Sequence, residues 1–161
     1  MSTRTDQVTS VDSGVPEFKE ALKLLRDGHR SEALSHVQRA LRLAPQNPFH
    51  MSYAGLLMAV VEKRFADGES LCKEALRIQH NHPQLYLNLA EMYQTARRTV
   101  DAIDVLKKGF VSTGRDRRVR SALYKYQLRR PPVFGFLRRS NPLNRILGKW
   151  HHRLLGPVKP C

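Results

Sequence analysis

The stretches "EALSHVQRALRLAPQNP" (residues 32–48) and "ESLCKEALRIQHNHP" (69–83) decide the fold. Both end in Ala-Leu-Arg and an aliphatic residue, then pass through a polar turn to a proline. Aligning Ala40 with Ala75 gives a spacing of 35 residues, and aligning Ala75 with Gly109 in "AIDVLKKGF" gives 34. Each period holds two segments of about 12 to 14 residues with helical apolar spacing, joined by a short polar link. The stripes run through Leu22 and Leu25; Ala33, Val37, Ala40 and Leu41; Leu71, Cys72, Ala75 and Leu76; Leu89, Met92 and Tyr93; and Ile103, Leu106 and Phe110. Strand signals are weak throughout. One hairpin of this size cannot bury its apolar face alone, so neighbouring hairpins must stack. The expected fold is all-α, an α-solenoid of three helical hairpins.

The third copy, "LYLNLAEMYQTARRTVDAIDVLKKGF", places Tyr86, Leu89, Ala90, Tyr93 and Ala102 in the order large, Leu, small, Tyr, Ala. In this it resembles the tetratricopeptide repeat family, and the resemblance covers about residues 14–118. Ala21, Leu24, Gly28, Ala33, Ala40 and Pro45 fit the same pattern in the first copy. The second copy departs from it, with Gly55 or Leu56 at the usual small site and Gly68 at the usual Ala. Its phase is open by one residue. Family members close with an extra helix. "RDRRVRSALYKYQL" (115–128) suits that role, with Val119, Ala122, Leu123 and Tyr126 on one side and Arg118, Lys125 and Arg129 on the other.

The resemblance implies a concave groove, lined by the first helix of each hairpin, in which an extended peptide binds. Here that groove would hold Phe18, Leu22 and Leu25, then Tyr53, Leu57 and Val60, then Gln84, Leu87, Asn88, Glu91 and Gln94. The family's clamp for a chaperone's terminal carboxylate needs Lys, Asn and Arg at set positions. Phe18, Leu22, Ala54 and Gln84 stand at four of them, which disfavours a cochaperone role and leaves Asn88 as the polar residue able to meet peptide backbone.

Charge is divided unevenly. The chain carries a net +14, but residues 1–114 hold 15 basic and 13 acidic side chains, whereas residues 115–161 hold 13 basic ones against Asp116 alone. Such asymmetry points to an anionic partner for the basic part or to a solvated surface. Residues 14–130 read as the repeat domain with its closing helix, 1–13 as a disordered polar segment, and 131–161 as a basic arm. Pro131 and Pro132 end the closing helix. After "VFGFL", Asn141 and Pro142 open an amphipathic helix. The expected arm anchors are Phe134, Phe136, Leu143, Ile146, Leu147 and Trp150; Arg129, Arg130, Arg138, Arg139, Arg145 and Lys149 are the expected contacts to an anionic partner. The apolar stripe requires a surface: the protein's own repeats, another protein or a second copy of this chain, or an anionic membrane. The "RRPP…NPLN…LG" ending is similar to those of some small bacterial tetratricopeptide proteins.

Several chemistries are disfavoured. The longest apolar run, "AGLLMAVV", is far short of the roughly 20 residues of a membrane span, and the first residues lack the apolar core of a signal peptide. Cys72 and Cys161 have no paired spacing, which suits a reducing cytoplasm. "GFVSTGRD" has the glycine spacing of a phosphate loop but lacks its Lys and Ser/Thr and follows a helix. His151 and His152 diverge on a helix, and His80 and His82 have no Cys or acidic neighbour for a metal. No nucleophile–base pair or catalytic carboxylate couple is evident, so neither enzyme activity nor a cofactor is expected. The expected function is a non-catalytic adaptor or scaffold that binds a protein or peptide through the groove, the arm, or both. The alternative is an arm that attaches the protein to anionic lipid or nucleic acid, with phosphate neutralisation supplying affinity.

Overall fold

The links between the periodic segments carry the residues that stop one helix and start the next, and their chemistry repeats with the sequence. A computed structural model describes residues 14–127. Among them lie seven α-helices and no strand: α1 Val15–Asp27, α2 Arg30–Leu43, α3 Pro48–Val61, α4 Phe65–Ile78, α5 Pro83–Thr95, α6 Thr99–Ser112 and α7 Arg117–Gln127. Helices α1/α2, α3/α4 and α5/α6 form three hairpins of an all-α helical-repeat solenoid, and α7 follows. The N-terminal segment 1–13 and the basic arm, with all six of its anchors and all six of its expected anion contacts, lie outside the described residues.

Helices α3, α5 and α7 open alike. The Asn47 carboxamide oxygen accepts from the amide of Phe49 at 2.9 Å, His82 Nδ1 accepts from Gln84 N at 3.3 Å, and Asp116 Oδ1 accepts from Arg118 N at 2.8 Å. Each cap satisfies an amide that the first helical turn leaves without a partner. The three capping positions, 47, 82 and 116, keep the 35- and 34-residue spacings of the repeat. Helix α7 therefore stands where the first helix of a fourth repeat would.

The turns inside the hairpins are equally regular. Gly28, Lys63 and Arg97 occupy equivalent positions with φ of 89°, 61° and 60°. The next residue stands at the N-terminal boundary of the second helix, without a side-chain bond to its amides, and pairs with an acid three positions on: His29 with Glu32 at 3.3 Å, Arg64 with Asp67 at 2.8 Å, and Arg98 with Asp101 at 2.6 Å. The left-handed conformation crowds a Cβ against the following carbonyl, and glycine escapes that cost. Arg97→Gly should raise stability by about 1 kcal/mol. A higher urea midpoint with an unchanged slope would show it; a lower midpoint would mean that the Arg97 side chain contributes more than its backbone costs.

The core forms at the helix crossings. Ala21, Ala33, Leu34, Val37, Ala54, Leu57 and Met58 pack the first hairpin onto α3. Leu56, Ala59, Cys72, Leu89, Ala90, Met92, Tyr93, Ala102, Leu106 and Val119 join the second and third hairpins to α7. Fully buried residues such as Leu57, Leu85, Leu89 and Leu106 each contribute about 2 kcal/mol of apolar burial. The small residues stand where helices touch, and they settle the phase of the second copy. A Cβ on Gly55 would lie 2.5 Å from the carbonyl oxygen of Gly68, and one on Gly68 would strike the carbonyl oxygen of Gly55. Gly55 is thus the counterpart of Ala21 and Ala90, and Leu56 points into the core.

His50 is 1% exposed at a site equivalent to Leu85 and Val119, which are fully buried. Its ring lies 4.8 Å from that of Phe18, and its Nδ1 has no hydrogen-bond partner. Burial lowers its pKa from 6.5, against the opposing pull of the Ala40 and Ala44 carbonyls. Below pH 6.5 the unfolded chain takes up a proton that the folded one resists, so this position loses stability as the pH falls. His50→Leu should stabilise the protein more at pH 5.5 than at pH 7.5, read from urea midpoints; an equal effect at both would remove His50 as the source.

Candidate functional site

The first helices of the hairpins present a cleft of about 220 Å³. Leu25, Tyr53, Leu56, Leu57 and Val60 form its apolar wall. Gln84, Asn88 and Glu91 of α5 form the polar one, and Arg30, the first residue of α2, closes the end next to the first hairpin. The spacing of Gln84, Asn88 and Glu91 puts all three on one stripe of α5.

Seven of the eleven expected groove residues line this cleft: Leu25, Tyr53, Leu57, Val60, Gln84, Asn88 and Glu91; Gln94 lies outside it. Phe18 instead packs edge-on against the Tyr53 ring, with centroids 5.3 Å apart, and supports it from behind. Leu22 is half-buried on α1 outside the cleft, and Leu87 packs against the core of the second and third hairpins. Leu57 is 1% exposed, so it belongs to the core floor of the cleft and offers a ligand little surface.

Asn88, expected as an open amide for peptide backbone, is 2% exposed. Its Nδ2 donates to Ser52 Oγ at 3.1 Å and its Oδ1 accepts from Gln84 Nε2 at 2.9 Å. The carboxamide ties α5 to α3, because burying it unpaired would be costly. Glu91 is the exposed polar side chain of this wall. Arg30 and Leu56 were absent from the expected set. Leu56 was hidden by the open phase of the second copy. Arg30 belongs to a second helix and reaches the cleft through the turn, for which the periodic pattern carries no signal.

The Tyr53 phenol is pushed above its ordinary pKa by burial and then by the Glu91 carboxylate, with Arg118 of α7 acting in the opposite direction. Arg118 belongs to a second, open hollow of about 480 Å³ formed by Arg117, Arg118, Ser121, Ala122 and Lys125 on one face of α7. With the register set by the helix caps, Arg118, Ala122 and Lys125 stand 34 residues after Gln84, Asn88 and Glu91. The α7 hollow is thus the cleft face repeated one step further, with cations in place of amide and acid.

Among the described residues no group of three or more His, Cys, Asp or Glu could hold a metal ion, and no helix is long and apolar enough to cross a membrane. Burial pushes the Cys72 thiol up to about 12, and its Sγ donates to the Ser52 carbonyl, so it behaves as a small core residue. His82 is occupied as a helix cap and in an edge-on contact with Phe49, with centroids 4.7 Å apart. His36 Nδ1 meets Glu17 Oε2 at 2.6 Å across the first hairpin.

No family model and no curated protein matches the sequence. Solved structures do match, and several of them are tetratricopeptide-repeat domains. The first such domain of Spaghetti (RPAP3), bound to an HSP90 peptide, is 16% identical with a TM-score of 0.58, covering 71% of this chain and 93% of that one. The Sgt2 domain from Aspergillus fumigatus is 12% identical with a TM-score of 0.61, covering 93% of this chain and 89% of that one. A mutant O-GlcNAc transferase of Thermobaculum terrenum is 18% identical with a TM-score of 0.62, and the match covers 100% of this chain and 29% of the enzyme. The chain has a tetratricopeptide-like fold.

Proposed function

We propose that this protein is a non-catalytic interaction module that binds an extended peptide of a partner protein across its first-helix face, within the cytoplasm. The observation that carries this reading is the cleft itself: an apolar wall and a polar wall, side by side, on a face that no other described helix covers. The peptide-bound Spaghetti domain shares the fold and lends support. The chemistry of the ligand differs from that of a terminal-carboxylate clamp, because Phe18, Leu22, Ala54 and Gln84 supply no cation.

The test is an array of short peptides, each with two large apolar residues and blocked ends, probed with the full-length chain. Captured peptides are then titrated in solution by fluorescence anisotropy. Tyr53→Ala removes the central ring of the apolar wall and should weaken binding about tenfold or more, as for a buried aromatic anchor. Circular dichroism checks that the variant stays folded. Capture of nothing, or equal affinity for wild type and Tyr53→Ala, would overturn the reading.

A second reading, attachment through the basic C-terminal arm to anionic lipid or nucleic acid, is favoured by the charge of residues 128–161, which hold eight basic side chains and no acid. Salt separates the two. Apolar cleft binding should change little between low and moderate ionic strength, whereas polyanion binding should fall steeply.

A further inference from the structure

The geometry points to a composite recognition surface: the cleft holds the apolar part of a bound peptide, and α7 forms a cationic shelf for acidic residues flanking it, with no need for a free C-terminal carboxylate. The inference rests on the reading of the cleft as a peptide site and adds the chemistry of the peptide.

Its basis is a difference in charge balance. Each hairpin helix that carries Lys or Arg also carries an acid, and ion pairs form from Lys23 to Glu20, Arg64 to Asp67, Arg77 to Glu74, Arg98 to Glu69 and Asp101, and Lys107 to Asp104. Helix α7 carries cations alone. Arg117, Arg120 and Lys125 have no acidic partner among the described residues, and the helix contains no acid. Asp116 approaches Arg118 Nε at 3.5 Å, but its carboxylate is already engaged in capping the helix.

The unmatched charge is also placed where a ligand of the cleft would meet it. Val119 is fully buried, and Ala122, Leu123 and Tyr126 pack with it against the core, which fixes the rotation of α7. That rotation leaves Arg118, Ser121 and Lys125 on the hollow face, in register with the cleft-lining face of α5. A peptide running along the first-helix face from Arg30 past Glu91 thus arrives on α7. Glu91 repels an acid at the α5 end of the cleft, so an acidic residue that follows the apolar part past Glu91 is met by the cations of the shelf. The charges are exposed and spread over a helix face, which suits side-chain carboxylates in sequence rather than one clamped terminus.

The test compares, on the full-length chain, three blocked peptides with the same apolar core and flanks of glutamate, glutamine or lysine, plus the glutamate peptide with a free terminal carboxylate. At low salt the glutamate peptide should bind about tenfold tighter than the glutamine one, the lysine peptide should be weakest, and freeing the terminus should matter little. Arg118→Glu with Lys125→Glu should erase the glutamate advantage and leave glutamine-peptide affinity unchanged. Arg42→Glu with Lys108→Glu, an equal change of net charge on exposed second-helix positions, should preserve it. Equal affinity for glutamate and glutamine peptides, equal loss in both double variants, or binding that requires the free carboxylate would each overturn the shelf, while glutamine-peptide binding sensitive to Tyr53→Ala would keep the cleft. If the α7 variant instead loses oligothymidylate or phosphatidylserine vesicles and the control does not, with peptide affinity intact, the shelf serves a phosphate-bearing partner and this proposal falls.

Discussion

Gly55→Ala should lower the melting temperature by about 12 °C, corresponding to about 3 kcal/mol lost from a domain of this size. The added methyl would sit 2.5 Å from the carbonyl oxygen of Gly68, 2.8 Å from Cys72 Sγ and 3.2 Å from Leu71 Cβ. Two of these three obstacles are backbone or the first atom of a side chain, which cannot rotate away, so α3 and α4 must part. Gly68→Ala should do the same for the reciprocal reason. Helix propensity alone predicts the opposite sign, since alanine favours a helix interior by about 1 kcal/mol over glycine. A melting temperature unchanged or raised in either variant would show that the two helices can separate without loss.

Glu69→Gln should cost about 2 kcal/mol, or about 8 °C. One carboxylate gathers three donors from three places: Lys73 Nζ at 2.6 Å on its own helix, Tyr93 OH at 2.8 Å on α5, and Arg98 Nη1 at 2.5 Å at the start of α6. The Arg98 guanidinium also lies 4.6 Å from the centroid of the Tyr93 ring and pairs with Asp101. Burial would push the Glu69 carboxyl up, but the three donors outweigh it and hold it at about 2, while burial and the facing carboxylate raise the Tyr93 phenol. Between pH 4.5 and about 2 the unfolded chain binds a proton at this position and the folded chain does not. The stability that Glu69 contributes is therefore complete above pH 4.5 and is lost as the pH falls towards 2. The gap between wild type and Glu69→Gln should close over that interval. A gap that stayed constant would mean that Glu69 acts through shape rather than charge.

The repeat was legible because its period is written in residues whose job is local. Alanines at 21, 33, 40, 75, 90 and 102, prolines at 48 and 83, and the polar residues between them announce where helices touch, start and stop. Three hairpins and a closing helix follow from that pattern by stacking. The candidate site was less legible, because a groove residue is defined by which way it faces, and a one-residue uncertainty turns a helix by about 100°. At Leu56 and Leu57 this exchanged a cleft wall for a core floor. At Asn88 the type of residue suggested an open amide, but Ser52 on α3, 36 positions away, claims its donors.

Sequence by itself determined the all-α repeat, its period and the concentration of positive charge from residue 115 onward, since each depends on the order of residues along the chain. Only tertiary structure decided that Gly55 faces Gly68, that Glu69 bridges two hairpins where the equivalent Leu34 is buried apolar surface, and that the cations of α7 continue the face of the cleft. Those three facts depend on distances between residues far apart in sequence, and a periodic pattern constrains the rotation of each helix without fixing what its neighbour presents to it.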